Sequence, residues 1–250
     1  MPKLIDNTML KQKIGGGNFT FSGARIENLG ATEYTLVTIA VDETGTVSGF
    51  EKELRDCLVS AVESCKRSPR SDNLLLRVIT FSSRYPMGVK EIHGFKPLAD
   101  IDTTQYPNLN PGGGTPLCDA CYSSVGAMNA YGKQLMADDF GANAIAFFIT
   151  DGDENSSVAT VKMLRDELEV AVSGEMVESM ISVLIGVNAQ YYKAKLDSFK
   201  NDAGITQYID AGDATKAKLA KLAQFISQSV SSQSQALGTG GPSQNISATI

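Results

Sequence analysis

The chain has 250 residues, ample for one large domain or two small ones with a well-buried core. An apolar content of 42% with 20% charged residues is that of an ordinary soluble globular protein. The formal net charge of −6 argues against a general nucleic-acid binder, because nonspecific affinity of that kind comes mainly from neutralising phosphates. The small basic run Cys65-Lys66-Arg67-Ser68-Pro69-Arg70 reads as a solvated helix end entering a loop. The start of the chain lacks a basic stretch followed by an apolar run, so no secretory signal is expected. No segment approaches the roughly 18 apolar residues that span a bilayer. Cys57, Cys65, Cys118 and Cys121 read as reduced thiols, which points to the cytoplasm.

Residues 1–32 read as an N-terminal extension packed on the main domain. Lys13–Gly17 and Ser22-Gly23 are turn-prone, and Phe19 and Phe21 alternate with polar residues as in a short edge strand. Met1–Lys11 is expected either to dock or to be disordered. From Glu33 the pattern becomes regular. Tyr34–Val41 is β-branched and almost wholly apolar, as a central strand buried on both faces should be. Ser48–Lys66 carries Phe50, Leu54, Leu58, Ala61, Val62 and Cys65 at helical spacing, and Ser48 with Glu51 predicts a capping box. Leu74–Phe81 is a second buried strand, and Gly88–Gly94 reads as a short antiparallel neighbour.

A polar loop with Pro97, Pro107 and Pro111 leads to Gly112-Gly113-Gly114. Leu117–Tyr131 is helical, Asn143–Thr150 is the third strong strand, and Val158–Val172 is an amphipathic helix. Strand Met176–Val187, helix Tyr191–Asn201, strand Gln207–Ile209 and helix Asp213–Val230 complete the series. Strands alternating with helices predict an α/β fold with a doubly wound, mostly parallel sheet covered on both faces. From Ser231 the composition turns to Ser, Gln, Gly and Thr, and residues 231–250 are expected to form a flexible tail.

Chemistry concentrates in three oxygen-rich segments: Asp42-Glu43-Thr44-Gly45-Thr46, Gly112-Gly113-Gly114-Thr115-Pro116 and Ile149-Thr150-Asp151-Gly152. The first and third end apolar strands, and the second opens onto a helix. In an open α/β sheet the carboxyl ends of parallel strands gather along one edge, where ligands bind. Two carboxylates and three hydroxyls, with no imidazole or thiol among them, are the donors of a Mg²⁺ site. Positions 42, 44 and 46 alternate through a tight turn and can aim three side chains at one point.

Other residues read more plainly. Cys118-Asp119-Ala120-Cys121 has the spacing of a redox or zinc motif, but no second CxxC exists and His93 is the single histidine. On one helix face both thiols read as small core hydrophobes. Glu43 is expected to point away from the site. Asp153, Glu154 and Asn155 read as a solvated loop capping the following helix, and Asp119 as helix-start charge or the holder of a bridging water. His93 reads as a surface residue.

On these three segments, in this order and at these strand ends, the chain resembles the von Willebrand factor A family. The resemblance covers about Glu33–Val230. That family carries a metal-ion-dependent adhesion site built from Asp-x-Ser-x-Ser, a distant threonine and a later aspartate. Carried over by position, the resemblance makes Asp42, Thr44, Thr46, Thr115 and Asp151 the metal site, with Mg²⁺ as the cation and Mn²⁺ or Ca²⁺ as substitutes. It implies a non-enzymatic, intracellular protein-binding module whose partner donates an Asp or Glu carboxylate to the metal. An AAA+ ATPase or an operon-encoded protein is the kind of partner implied. Threonine replaces both serines of the first segment, which keeps each hydroxyl but adds a methyl and a stiffer χ1. Two other readings stand beside it: a metal-dependent hydrolase or phosphotransferase at the same edge, and a self-assembling subunit with a vestigial site. Against the first, Gly112–Thr115 lacks the lysine of a phosphate-binding loop, and no Ser-His-Asp or Cys-His set can be assembled. The oligomeric state is not legible.

Overall fold

A computed structural model of the protein describes residues 9–15, 17–173 and 176–239. Residues 1–8 and 240–250, parts of the two terminal segments read from the sequence, lie outside the described residues. The elements run β1 (Met9–Lys13), β2 (Thr20–Ala24), β3 (Glu33–Asp42), α1 (Glu51–Lys66), β4 (Leu74–Phe81), β5 (Val89–Pro97), α2 (Leu117–Ala137), β6 (Gly141–Thr150), α3 (Val161–Ser173), β7 (Met180–Val187), α4 (Lys193–Ala203), β8 (Gln207–Gly212) and α5 (Lys216–Thr239). They form an eight-stranded sheet in the order β1-β2-β5-β4-β3-β6-β7-β8. Strands β4, β3, β6, β7 and β8 are mutually parallel. β5 pairs antiparallel with β4. This doubly wound α/β architecture is the one that the sequence pattern and the family resemblance implied.

Burial explains the composition of the strands. β3, β4, β6 and β7 are almost wholly buried, so both pleat faces must be apolar and alternation disappears. One face packs on α2, α3 and α4 through Leu36, Ala40, Phe148, Val125, Leu164 and Leu196. The other packs on α1 and α5 through Val37, Ile39, Phe147, Leu58, Leu222 and Ile226. Helix α2 is buried nearly all round, and both thiols of its CxxC segment lie in the core as free cysteines. Burial pushes the Cys118 thiol up to about 12 and that of Cys121 well above its ordinary value, so neither is a thiolate nucleophile.

Three expectations are corrected. First, residues before Glu33 belong to the sheet itself. β1 and β2 form an antiparallel hairpin, and β2 joins β5 through Gly23↔Phe95. Glycine is required at that seam, since a side chain on Gly94 would overlap the Ser22 carbonyl. Phe95 stacks on Tyr131 at 5.3 Å, with Phe21 edge-on to both. Second, α5 continues to Thr239 rather than ending at Val230. Its Ser/Gln-rich end is tied down by polar contacts, not apolar ones: Asn143 Nδ2 donates to the Gln233 carbonyl at 2.8 Å, Gln233 Nε2 to Ser179 Oγ at 3.0 Å and Arg70 Nε to Ser234 Oγ at 3.2 Å. Third, Ser48 does not cap α1. The helix starts at Glu51, whose carboxylate accepts instead from the Gly49 amide at 2.6 Å.

His93 is also not a surface residue. Its half-buried ring lies on β5 with Nδ1 2.9 Å from the Gly94 carbonyl and Nε2 2.8 Å from Tyr106 Oη. A carbonyl only accepts, so Nδ1 carries the proton and Nε2 accepts from the phenol. Burial lowers its pKa to about 4 and keeps it neutral.

The N-terminal hairpin is held by a buried cation. Arg77 on β4 is fully buried; its Nε donates to Glu91 at 2.7 Å and its terminal nitrogens to the carbonyl and Oγ of Ser123 on α2 at 3.2 Å. Glu91 in turn accepts from Ser22 Oγ at 2.6 Å. Four elements meet at this one pair. Glu91→Ala, which strands the guanidinium, is expected to lower the unfolding free energy by about 3 kcal/mol or more. A urea midpoint equal to that of the wild type would show that Arg77 is satisfied without its carboxylate.

Candidate metal centre

The parallel register brings the two aspartate-bearing strand ends together. Val41 pairs with Ile149 across β3 and β6, and Asp42 with Phe81 across β3 and β4. The chain beyond β3 turns tightly: the Thr44 amide donates to Asp42 Oδ1 at 2.8 Å. Thr44 Oγ1 and Thr46 Oγ1 are 3.1 Å apart, and Thr46 Oγ1 donates to Asp151 Oδ1 at 2.7 Å. Thr115 completes the ring. A Cβ placed on Gly152 would lie 3.2 Å from Thr115 Oγ1 and 3.7 Å from Thr46 Oγ1. All five residues named from the sequence therefore converge on one point, and glycine at 152 leaves room between the hydroxyls. Asp42, Thr44, Thr115 and Asp151 are buried, whereas Gly45 and Thr46 are exposed and open the site to solvent.

The electrostatics suit a cation. Asp42 is completely buried, and neither it nor Asp151 forms an ion pair with any described residue. Desolvation raises the Asp42 pKa to about 6 against the opposing hydrogen bonds from Thr44 and Thr150, and the nearby Asp151 charge adds to the rise. Asp151 is raised too, again chiefly by burial. Two buried carboxylates without a counter-charge, ringed by hydroxyl oxygens, fit a hard divalent ion that takes oxygen donors and keeps waters. Among the described residues there is no group of three or more His, Cys, Asp and Glu able to hold a metal; here three of the five side chains are threonine hydroxyls.

The structure adds residues that sequence reading missed or misplaced. Thr150 Oγ1 donates to Asp42 Oδ2 at 2.7 Å and accepts from the Gly152 amide at 3.2 Å. It stands immediately before Asp151 in the third segment, which was the available signal. Glu43 does turn away from the site, but inward: its buried carboxylate accepts from Tyr85 Oη and the Asn110 amide, each at 2.7 Å. It anchors the glycine-rich loop, where Gly113 adopts φ +77° and Ser82 Oγ donates to the Gly112 carbonyl at 2.5 Å. Glu154 and Asn155 are corrected, because they bind at and just before the start of α2, not the following helix. Glu154 accepts from the Cys118 amide at 2.6 Å, and Asn155 Oδ1 from the Thr115 amide at 2.8 Å. Asp119 is buried and accepts from the Val158 and Ala159 amides at 3.0 and 2.7 Å. Asp153 pairs with Lys195 at 2.6 Å.

The fold and site together define an open α/β domain with a cluster of oxygen-bearing side chains at the carboxyl edge of its parallel strands. No protein-family model matches the chain, and no curated protein matches it. Solved structures do. The pilus adhesin SpaC from Lactobacillus rhamnosus GG, in its open conformation, superposes with a TM-score of 0.55 at 10% identity over 85% of this chain and 31% of that one. Proximal thread matrix protein 1 from the mussel byssus, in a form with a zinc-occupied MIDAS motif, gives 0.51 at 16% identity over 81% and 47%. The chain thus spans less than half the length of either, and at these identities what is shared is the fold.

The Asp42 shift has a signed consequence. With the folded pKa near 6 and the unfolded value near 3.8, the folded state holds the extra proton between those pH values. Stability of the metal-free protein therefore falls as pH rises from about 4 to about 6, by up to about 3 kcal/mol from this group. Asp42→Asn is expected to flatten that limb and to raise the metal-free Tm at pH 7. A Tm at pH 7 below that of the wild type would contradict it.

Proposed function

We propose that this chain is a protein-binding module in which Asp42, Thr44, Thr46, Thr115 and Asp151 hold Mg²⁺ and leave a vertex open for a carboxylate of a partner protein. The observation that supports this reading is the gathering of five dispersed oxygen side chains, one of them a fully buried carboxylate without a counter-charge. Two aspartates leave a bound dication short of ligands and merely neutralised, so waters fill the remaining positions. An acidic side chain entering past Gly45 and Thr46 replaces one of these waters and is held through the metal. Threonine at 44 and 46 is compatible with this role, since each supplies the same hydroxyl a serine would.

Binding is favoured over hydrolysis or phosphoryl transfer by what surrounds the site. Among the described residues no histidine, lysine or unengaged carboxylate stands beside the five oxygens to serve as a general base; Glu43, Asp119, Glu154 and Asp153 are each spent on structural partners. No helix among the described residues is long and apolar enough to cross a membrane. The free, buried thiols favour a reducing compartment, and there an AAA+ ATPase is one partner class consistent with the family resemblance.

The test is calorimetric titration of Mg²⁺ into the wild-type chain and three variants. Asp42→Ala is expected to abolish binding. Thr46→Val, which keeps shape and removes one oxygen, is expected to weaken it roughly tenfold or more, while Thr46→Ser stays close to wild type. Mg²⁺ binding that survives Asp42→Ala would overturn the reading. So would capture of an acidic partner unaffected by EDTA.

A further inference from the structure

We propose that Asn155 is a positioning residue: it fixes the backbone of Thr115, and through it the spacing of the two halves of the metal site. The inference rests on the reading above, because it assigns Asn155 a purpose toward the same cation. Thr115 stands between the glycine-rich loop and α2, where neither strand ladder nor helix interior holds its amide. That amide donates to Asn155 Oδ1 at 2.8 Å, and the Asn155 amide donates back to the Thr115 carbonyl at 3.1 Å. The reciprocal pair locks one residue against the other. The approach is close enough to need glycine beside it, since a Cβ on Gly114 would lie 2.7 Å from Asn155 Oδ1.

Asn155 belongs to the loop that begins at Asp151. That loop is laced to α2 behind the pair: Cys118 amide to Glu154 Oε2 at 2.6 Å, Asp119 amide to Ser157 Oγ at 3.0 Å, and the Ala159 amide to Asp119 Oδ1 at 2.7 Å. The segments carrying Asp151 and Thr115 therefore form one unit, and the interval between their oxygens is set by these bonds rather than by the sheet. Among them Asn155 alone bonds the main chain of a metal-site residue. Outer groups that orient ligands in this way typically change metal affinity 10- to 100-fold when lost.

The experiment uses the 250-residue chain and Mn²⁺, whose free ion is counted by electron paramagnetic resonance. Asn155→Leu is nearly isosteric and removes the acceptor; it is expected to weaken Mn²⁺ binding roughly tenfold or more. Asn155→Asp keeps the acceptor and is expected to restore binding to within a few-fold of wild type, which loss of general stability would not predict. In the metal-free protein, Asn155→Leu is expected to speed exchange of the Thr115 amide proton. Should that variant fail to fold by circular dichroism, Asn155→Ser, too short to reach the amide, takes its place. Wild-type Mn²⁺ affinity or an equally protected Thr115 amide in the variant overturns this inference alone. A wild-type chain that binds no Mn²⁺ overturns the metal reading and with it the role assigned to Asn155.

Discussion

The structure is organised around a carboxylate that has been taken out of water without a counter-charge. Asp42 ends the central strand of a sheet whose faces are both covered, so its side chain is enclosed by construction. Burying an ion costs several kcal/mol unless it is neutralised or paired. The protein meets part of that cost with the Thr44 amide and the Thr150 hydroxyl, and the rise of the Asp42 pKa to about 6 measures what remains. A site that keeps such a residual penalty is poised to accept a cation, because a dication removes the penalty and gains from it. An exposed aspartate at the same place would have nothing to gain beyond the weak attraction available in water.

Around that charge, loops are fastened by other acids. Glu43, Asp119 and Glu154 are each committed to main-chain amides of a neighbouring segment, and none faces a basic side chain there. A carboxylate accepting from amides can hold two loops at once, as its two oxygens offer about four acceptor positions. The surplus of negative charge in this chain is therefore partly a stapling device at the carboxyl edge of the sheet, not only a property of its surface. Glycine serves the same end from the opposite direction: at 113 it allows a left-handed turn, and at 114 and 152 it leaves space that side-chain oxygens occupy.

The central strands, their helices and the convergence of five oxygen side chains were legible because each is written locally. Apolar runs mark strands buried on both faces, and a carboxylate or hydroxyl at the end of such a run falls on a common edge by topology alone. Illegible were features whose meaning depends on distant partners. The Ser/Gln-rich end of α5 reads as solvated until Asn143, Ser179 and Arg70 are seen to meet it. The N-terminal hairpin reads as an appendage because its seam to β5 is a single glycine pair backed by aromatic rings from elsewhere. Glu154 and Asn155 were assigned to the wrong helix for a related reason: polar residues before a helix normally cap it, and only the folded chain shows α2 lying closer.

The hydrogen bonds within the site bear on how its oxygens divide their work. A threonine hydroxyl has one proton and two lone pairs. Thr46 spends its proton on Asp151, so in the 3.1 Å contact with Thr44 it is the acceptor, and one lone pair is left over. In the metal-binding reading proposed above, a cation would take that remaining lone pair, and Thr46 would ligate it without giving up the bond to Asp151. Asp151 accepts that hydrogen bond on Oδ1, and in the same reading it would give the cation its charge and its second oxygen. Thr44 donates its hydroxyl to Thr46 at 3.1 Å and its amide to Asp42 at 2.8 Å. In that reading the hydroxyls of Thr44, Thr46 and Thr115 would hold the cation together with the two aspartates, which would also balance its charge. Under that reading, a site with only two acids of its own would leave its exposed side, at Gly45 and Thr46, for a carboxylate from outside.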